Sequence, residues 1–251
     1  MSARRPIRVL QNAAAVVELL AEEGALGPAE LAEQLGIPRP SVYRLLDGLA
    51  AIGFTEPTAD AGARLDRSLM RLADSARAAM TEWRGGHEVL VDVVGRTRQT
   101  AYLTVRRGDD AVCIDWEQGR GVGVLMLKPG RALPLNAGAA GRAFLAFEPD
   151  GDAWAGRAGH VSYTPQTLTD PADLRADAAA TRERGYALSD EDVTIGIGAI
   201  AAPIFGAGGQ LVGCLSLAGV AEEFRTRRHE LADEVRAAAA ALGERHRSAA
   251  G

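Results

Sequence analysis

Residues 31–54 read LAEQLGIPRPSVYRLLDGLAAIGF. Leu31 and Leu35 recur at the four-residue step of a helix, Pro28 stands where a first helical turn tolerates proline, and Gly36 stops the segment. After the tight GIPRP turn, a further helix runs from about Pro40 to Ala51 and directs Val42, Leu45, Leu46, Leu49 and Ile52 inward. Helix, turn and helix in this arrangement match the bihelical unit whose second helix enters the major groove of duplex DNA. Arg39, Ser41, Tyr43, Arg44 and Asp47 are then left facing outward. Arginine suits guanine or phosphate, and the Ser and Tyr hydroxyls suit phosphate. Arg39, Ser41, Tyr43 and Arg44 are therefore the candidate DNA-reading residues. The same spacing also fits a three-helix bundle whose polar side is merely solvated.

Upstream, Ile7, Leu10, Ala14 and Val17, with Leu20 close by, predict a first amphipathic helix that Gly24 ends. Downstream, Gly53 to Glu56 is strand-like, and the TADAG turn and the ARL segment complete a wing of two short strands. Arg64 of that wing is a candidate phosphate contact. The segment from Leu69 to Met80, with Leu72 and Ala76 on one side, forms a helix that either joins two domains or opens the core of the second.

The remainder has a different texture. TAYLTVRRGDDAVCIDWEQ (100–118) alternates apolar and polar residues on both sides of Gly108-Asp109-Asp110, a hairpin signal, and VGVLML (122–127) suggests a third strand. PLNAGAAGRAFLAF (134–147) begins as a small-residue loop and becomes a helix carrying Phe144, Leu145 and Phe147. Residues 148–170, with Pro149, Gly151, Gly156 and Pro165, read as loop. Asp170, Pro171 and Gly185 are the N-cap, first position and terminator of another helix. YALSDED, GAIAAPIF and LVGCLSLAG supply three more strands, the last two joined by GAGGQ, and a closing helix spans about Thr226 to Arg245. Helices around an antiparallel sheet predict an α+β domain resembling the GAF fold. The expected organisation is a winged helix-turn-helix domain over 1–66, a linker helix over 67–81 and the α+β domain over 82–251.

Composition bounds the function. Hydrophobic residues make up 47% and charged residues 24% of the 251, a globular mix. No apolar run approaches the roughly 18–20 residues of a membrane span, and no signal-peptide pattern precedes the first helix, so a cytoplasmic protein is expected. Cys113 and Cys214 are too few for a disulfide scaffold and are not in CxxC spacing. The net charge of −5 argues against tight DNA binding, and residues 1–80 hold nine arginines against ten acids. Distribution answers the objection. Arg4, Arg5 and Arg8 cluster at the start, Arg39 and Arg44 flank one turn, and Arg64, Arg67 and Arg71 follow another, while Glu18, Glu22, Glu23, Glu30 and Glu33 lie elsewhere. No GxSxG elbow, Walker loop or HExxH spacing is present, and His87, His160, His229 and His246 are scattered. Neither a metal, a cofactor nor catalysis is expected. A small-metabolite enzyme and a sensor acting through protein partners stay open as alternatives.

From about Ile7 to about Arg245 the chain resembles the isocitrate-lyase-regulator (IclR) family of bacterial transcription regulators. The helix-turn-helix phrase is shared in outline with other winged-helix groups. LPLNAGAAGRAFLAF, TRERGYALSDEDVTIGIGAIAAPIF and LVGCLSLAG, in that order and spacing, are more specific. The resemblance implies homodimers or homotetramers, inverted-repeat operators on double-stranded DNA, and a small effector, commonly an organic acid, in the larger domain. It also exposes departures. The family's wing usually has an aromatic residue and a glycine at Ala63 and Asp66, and histidine and lysine are usual at Asn136 and Arg142. Family members that bind small carboxylates carry a polar or acidic residue at Ser189 and often cysteine or another polar group at Ala199, so a more apolar pocket is implied here.

NAGAAG leads straight into a helix, so the amides near Ala139, Ala140 and Gly141 should lack partners inside it and suit a carboxylate or another oxygen-rich group. Small side chains at Ala137, Gly138 and Ala139 would let a ligand approach the backbone. Ser189 and Ser216 could supply hydroxyls, and Trp116, Val122, Leu125 and Ala199 an apolar wall. The effector expected is a compact, partly apolar organic acid, aromatic ones included. The competing reading is that these small residues only permit tight helix–sheet packing.

Overall fold

A computed structural model describes residues 7–121 and 127–249. The chain divides into two compact units, Met1–Ala79 and Met80–Gly251.

In the first unit, helices α1 (Arg8–Glu23), α2 (Pro28–Leu35) and α3 (Arg39–Ala51) precede a two-stranded wing, β1 (Thr55–Pro57) and β2 (Ala63–Leu65), and helix α4 (Leu69–Ala79). Gly36 takes φ +63°, a left-handed conformation that a side chain disfavours, and so turns α2 into the approach to α3. The core gathers Val16, Leu20, Leu26, Leu31, Val42, Leu49 and Ala63. Two expectations need correcting. The inward stripe of α1 is Ala13, Val16, Val17 and Leu20, while Ile7 is 64% exposed and Leu10 and Ala14 also face outward. Both stripes obey the same helical period, so spacing alone could not choose the phase. Ile52, expected in the core, is 66% exposed because α3 ends at Ala51 and the chain turns away there. The α4 helix forms as expected but buries none of its residues, and it groups with the first unit.

The second unit is built on a fully antiparallel sheet. Its strands are β3 (Thr100–Arg107), β4 (Asp110–Glu117), β5 (Ala132–Pro134), β6 (Ala187–Asp190), β7 (Ile197–Phe205) and β8 (Leu211–Val220). Among the described residues the strand order is β5-β4-β3-β8-β7-β6. The expected strand 122–127 falls almost wholly outside the described residues.

Strand alternation sorts the side chains between two layers. Leu103, Ile200, Ala202, Leu215 and Leu217 pack against helices α5 (Gly86–Thr97) and α10 (Arg228–Ala249), burying Leu90, Val93, Leu231, Val235 and Leu242. Ala187, Ala201 and Cys214 face the other way, toward α6 (Gly138–Phe147), α7 (Gly151–Ala155) and α8 (Pro171–Arg184). The α7 turn was expected to be loop; Pro149, Gly151 and Gly156 mask a segment held by burial of Trp154 and Ala155. Asp170 caps α8 by accepting from the amides of Ala172 (2.7 Å) and Asp173 (3.4 Å). The closing helix is two pieces, α9 (Ala221–Thr226) and α10. The whole is an N-terminal helix-turn-helix unit followed by an α+β unit of GAF-like kind.

Candidate functional site

Two places combine exposure or space with suitable chemistry, one in each unit. On α3, Tyr43 is 54% exposed, Arg39 and Arg44 are exposed, and Ser41 is half-buried, so three of the four expected residues are open to solvent and the fourth partly so. Arg44 Nη2 lies 3.4 Å from Ser41 Oγ, which steadies the guanidinium over the first turns of the helix. Arg39 occupies the first turn and forms no ion pair among the described residues. On the wing, Arg64 stands opposite Glu56 in the strand register, and its Nε donates to Glu56 Oε1 at 2.7 Å. The proposed phosphate contact is thus already engaged by an acid. Asp66 accepts the Ser68 amide at 2.7 Å, and that backbone hydrogen bond holds its carboxyl below the usual range while the chain turns into α4. Ala63 is buried in the core, not presented on the wing.

The second place is a cavity of about 70 Å³ between the sheet and the start of α6. A water molecule needs roughly 10–15 Å³ on this scale, so the space holds about five to seven water-sized positions. Its wall includes Gly138, Ala139, Ala140, Ser189, Ala199 and Ser216, six of the nine residues singled out from sequence. Trp116 does not line it. Instead Trp116, the cross-strand partner of Tyr102 on β4, stacks on that wall residue from the side, with ring centroids 6.2 Å apart. Val122 and Leu125 lie outside the described residues. Sequence reasoning missed Tyr102, Val193, Thr194 and Ala218, which share the wall. Strand register was the available signal: Tyr102 pairs across the ladder with Ser216, and Ala218 with Ala199.

The floor of the cavity is set by α6. Gly138 adopts φ +74° and gives its N–H to Asp192 Oδ2 at 3.1 Å. Ala137 N bonds Pro134 O at 3.0 Å, and the regular helical pattern points Gly141 N at the carbonyl of Ala137, the residue that caps α6. By that pattern the amides of Ala139 and Ala140 are the ones with no acceptor inside the helix. Asp192, 1% exposed, also accepts the hydroxyl of Ser189, and Arg142 Nη2 stands 3.6 Å from its carboxylate. Arg142 reaches Asp177 on α8 as well, Nε to Oδ2 at 3.6 Å. No charged side chain among the described residues lines the cavity itself, so a bound anion would rest on the two amides and the helix dipole.

The described residues bring no three His, Cys, Asp or Glu side chains together as metal donors. No helix among them is long and apolar enough to cross a membrane.

Comparisons with known proteins match both units. A model of the IclR helix-turn-helix domain matches residues 9–59, and one of the IclR C-terminal domain of bacterial transcriptional regulators matches 85–244. The chain is 28% identical over 219 residues to the transcriptional repressor IclR of Escherichia coli, covering 85% of this chain and 80% of that one. It is 30% identical over 226 residues to the regulator BhcR of Paracoccus denitrificans, covering 85% and 77%. Among solved structures, the Thermotoga maritima IclR superposes with a TM-score of 0.75 at 25% identity, over 96% of this chain and 99% of that one. An IclR homolog from Microbacterium hydrocarbonoxydans, complexed with 4-hydroxybenzoate, has the same fold at 20% identity (TM-score 0.77, covering 96% and 99%).

Proposed function

The chain belongs to the IclR family of bacterial transcription regulators, and from that premise we propose how its two units divide the work. It is a DNA-binding regulator with an effector-binding C-terminal domain, and its relatives are regulators rather than enzymes. In our reading, a cytoplasmic homodimer or homotetramer sets α3 of two subunits into the half-sites of an inverted repeat. One recognition helix reads only a few base pairs, so specificity calls for two. Arg39, Ser41, Tyr43 and Arg44 form the reading surface, and Arg64 approaches phosphate from the wing. The effector is a compact, partly apolar organic acid held in the α6 cavity, its oxygen-rich end on the amides of Ala139 and Ala140.

The observation that carries this reading is the convergence of small residues, two open amides and the Ser189 and Ser216 hydroxyls on a single cavity of ligand size. The 4-hydroxybenzoate complex of the Microbacterium homolog, a ring-bearing acid on the same fold, is consistent with it. Two variants test the two halves. Arg44→Ala should weaken binding to the chain's own upstream DNA by about 1–3 kcal/mol, read by gel shift, without unfolding the unit. Ala139→Leu should abolish the thermal shift given by responsive organic acids and leave DNA binding and oligomeric state intact. Unchanged operator affinity removes Arg44 from the surface, and an unchanged ligand response moves the effector elsewhere.

A further inference from the structure

The cavity wall has a finer pattern than its apolar average. Across four adjacent strands it presents Tyr102 and Ser216, then the methyl groups of Ala218 and Ala199, then Ser189. At the usual strand spacing this strip runs about 14 Å from β3 to β6. The α6 amides belong to the Ser189 end, because Gly138 and Ser189 are tied to the same Asp192 carboxylate. The far end is Tyr102. Its side chain is 2% exposed and lines the cavity, yet its Oη has no hydrogen-bond partner among the described residues. Ser216 is its cross-strand neighbour, and among the described residues its hydroxyl makes no hydrogen bond either.

Buried hydroxyls in folded proteins nearly always find partners. A phenylalanine would fill the same wall and stack on Trp116 without leaving a polar atom stranded. Burial also pushes the Tyr102 pKa upward, so the phenol keeps its proton and remains a donor. An oxygen supplied by a ligand is the partner this position lacks.

Building on the assignment of the cavity as the effector site, we infer that the effector is bipolar. It carries one oxygen-rich group for the amides of Ala139 and Ala140, a compact apolar middle over Ala199 and Ala218, and a second oxygen function that Tyr102 reads. Tyr102 is then the residue that separates a hydroxylated acid from its plain counterpart.

The full-length chain is titrated, by thermal shift and calorimetry, with two matched pairs: 4-hydroxyphenylacetate against phenylacetate, and trans-4-hydroxycyclohexanecarboxylate against cyclohexanecarboxylate. In at least one pair the hydroxylated member should bind the wild type about tenfold more tightly, since a site built to pair a hydroxyl discriminates strongly against its absence. Tyr102→Phe should bring that pair within about threefold while the plain acid binds as before. Without ligand, Tyr102→Phe should melt no lower than the wild type, because no internal hydrogen bond is lost. The inference is overturned if no hydroxylated member is preferred, if the preference survives in Tyr102→Phe, or if the ligand-free variant melts several degrees lower. Ala139→Leu and Ala199→Leu, which fill the cavity from the helix and from the sheet, separate the two layers of the argument. If both block binding while Tyr102→Phe keeps the preference, only the bipolar inference fails. If neither blocks binding, the cavity assignment fails first and the inference with it.

Discussion

Replacing Glu56 by Gln should make this protein bind DNA more tightly. Glu56 and Arg64 face each other across the wing with Nε and Oε1 2.7 Å apart, and both side chains are partly open to solvent. A pair of this kind stabilises a fold by at most about 1 kcal/mol, so the variant stays folded and its melting point moves little. The larger effect falls on DNA. Freeing Arg64 and removing a neighbouring negative charge adds one phosphate contact, which steepens the slope of log K against log[salt] by about 0.9. Over the fourfold range from 50 to 200 mM salt that is about a 3.5-fold greater loss of affinity, with tighter binding at the low-salt end. Fluorescence anisotropy on an arbitrary duplex suffices, because phosphate contacts carry no sequence information. Arg64→Ala in the Glu56→Gln background must cancel the gain. An unchanged salt slope in Glu56→Gln, or a gain that persists without Arg64, would refute the wing contact.

Further outcomes follow from other sites. Gly141→Ala would place a Cβ 2.7 Å from the backbone oxygen of Leu135, which has no side-chain freedom to yield; unfolding should cost about 1–3 kcal/mol less in chemical denaturation, and ligand response should fall with it. Asp150 is held below the ordinary carboxylate range, chiefly by its hydrogen bond from Arg106, so its stabilising contribution is complete above the ordinary Asp pKa and disappears as pH falls through the depressed one. The difference in melting temperature between wild type and Arg106→Gln should therefore be constant from pH 5 to 7 and shrink below about pH 4. Cys113 is buried and its pKa is pushed up to about 12, and burial raises Cys214 well above the ordinary thiol range. Neither thiol should react with a chromogenic disulfide reagent at pH 8 until denaturant is added, when two should titrate.

Sequence legibility varied with the kind of physical constraint. Elements bounded by caps and breakers were readable: Asp170, Pro171 and Gly185 frame α8, and Gly36 ends α2 as its conformation requires. The helix-turn-helix face was readable because Val42 and Leu49 fix the phase of α3 and so expose Tyr43 and Arg44. The phase of α1 was not, since Ile7 and Leu10 continue the apolar pattern at the surface. In the cavity, residues adjacent in sequence or quoted within a family motif were found, from Gly138 to Ala140 and at Ser189 and Ser216. Tyr102 and Ala218 were missed because their membership depends on which strands pair and in what register, and pairing between distant segments leaves no local mark. Asp192 was missed for a related reason: its partner Gly138 is 54 residues away in sequence.

The alternation along β8 has an evolutionary consequence. Leu215 and Leu217 belong to the layer beneath α10, while Ser216 and Ala218 line the α6 cavity. One strand therefore carries two interleaved inheritances, one answerable to stability and one to chemistry. With the effector in that cavity, as proposed, exchanges at 216 and 218, or at 199 on β7, would alter what the protein senses without disturbing the close-packed apolar layer on the other face. A lineage could thus drift from one metabolite to another by single substitutions, its scaffold unaware of the change. A one-residue slip in the same strand would exchange the two inheritances at a stroke, and neither would survive it.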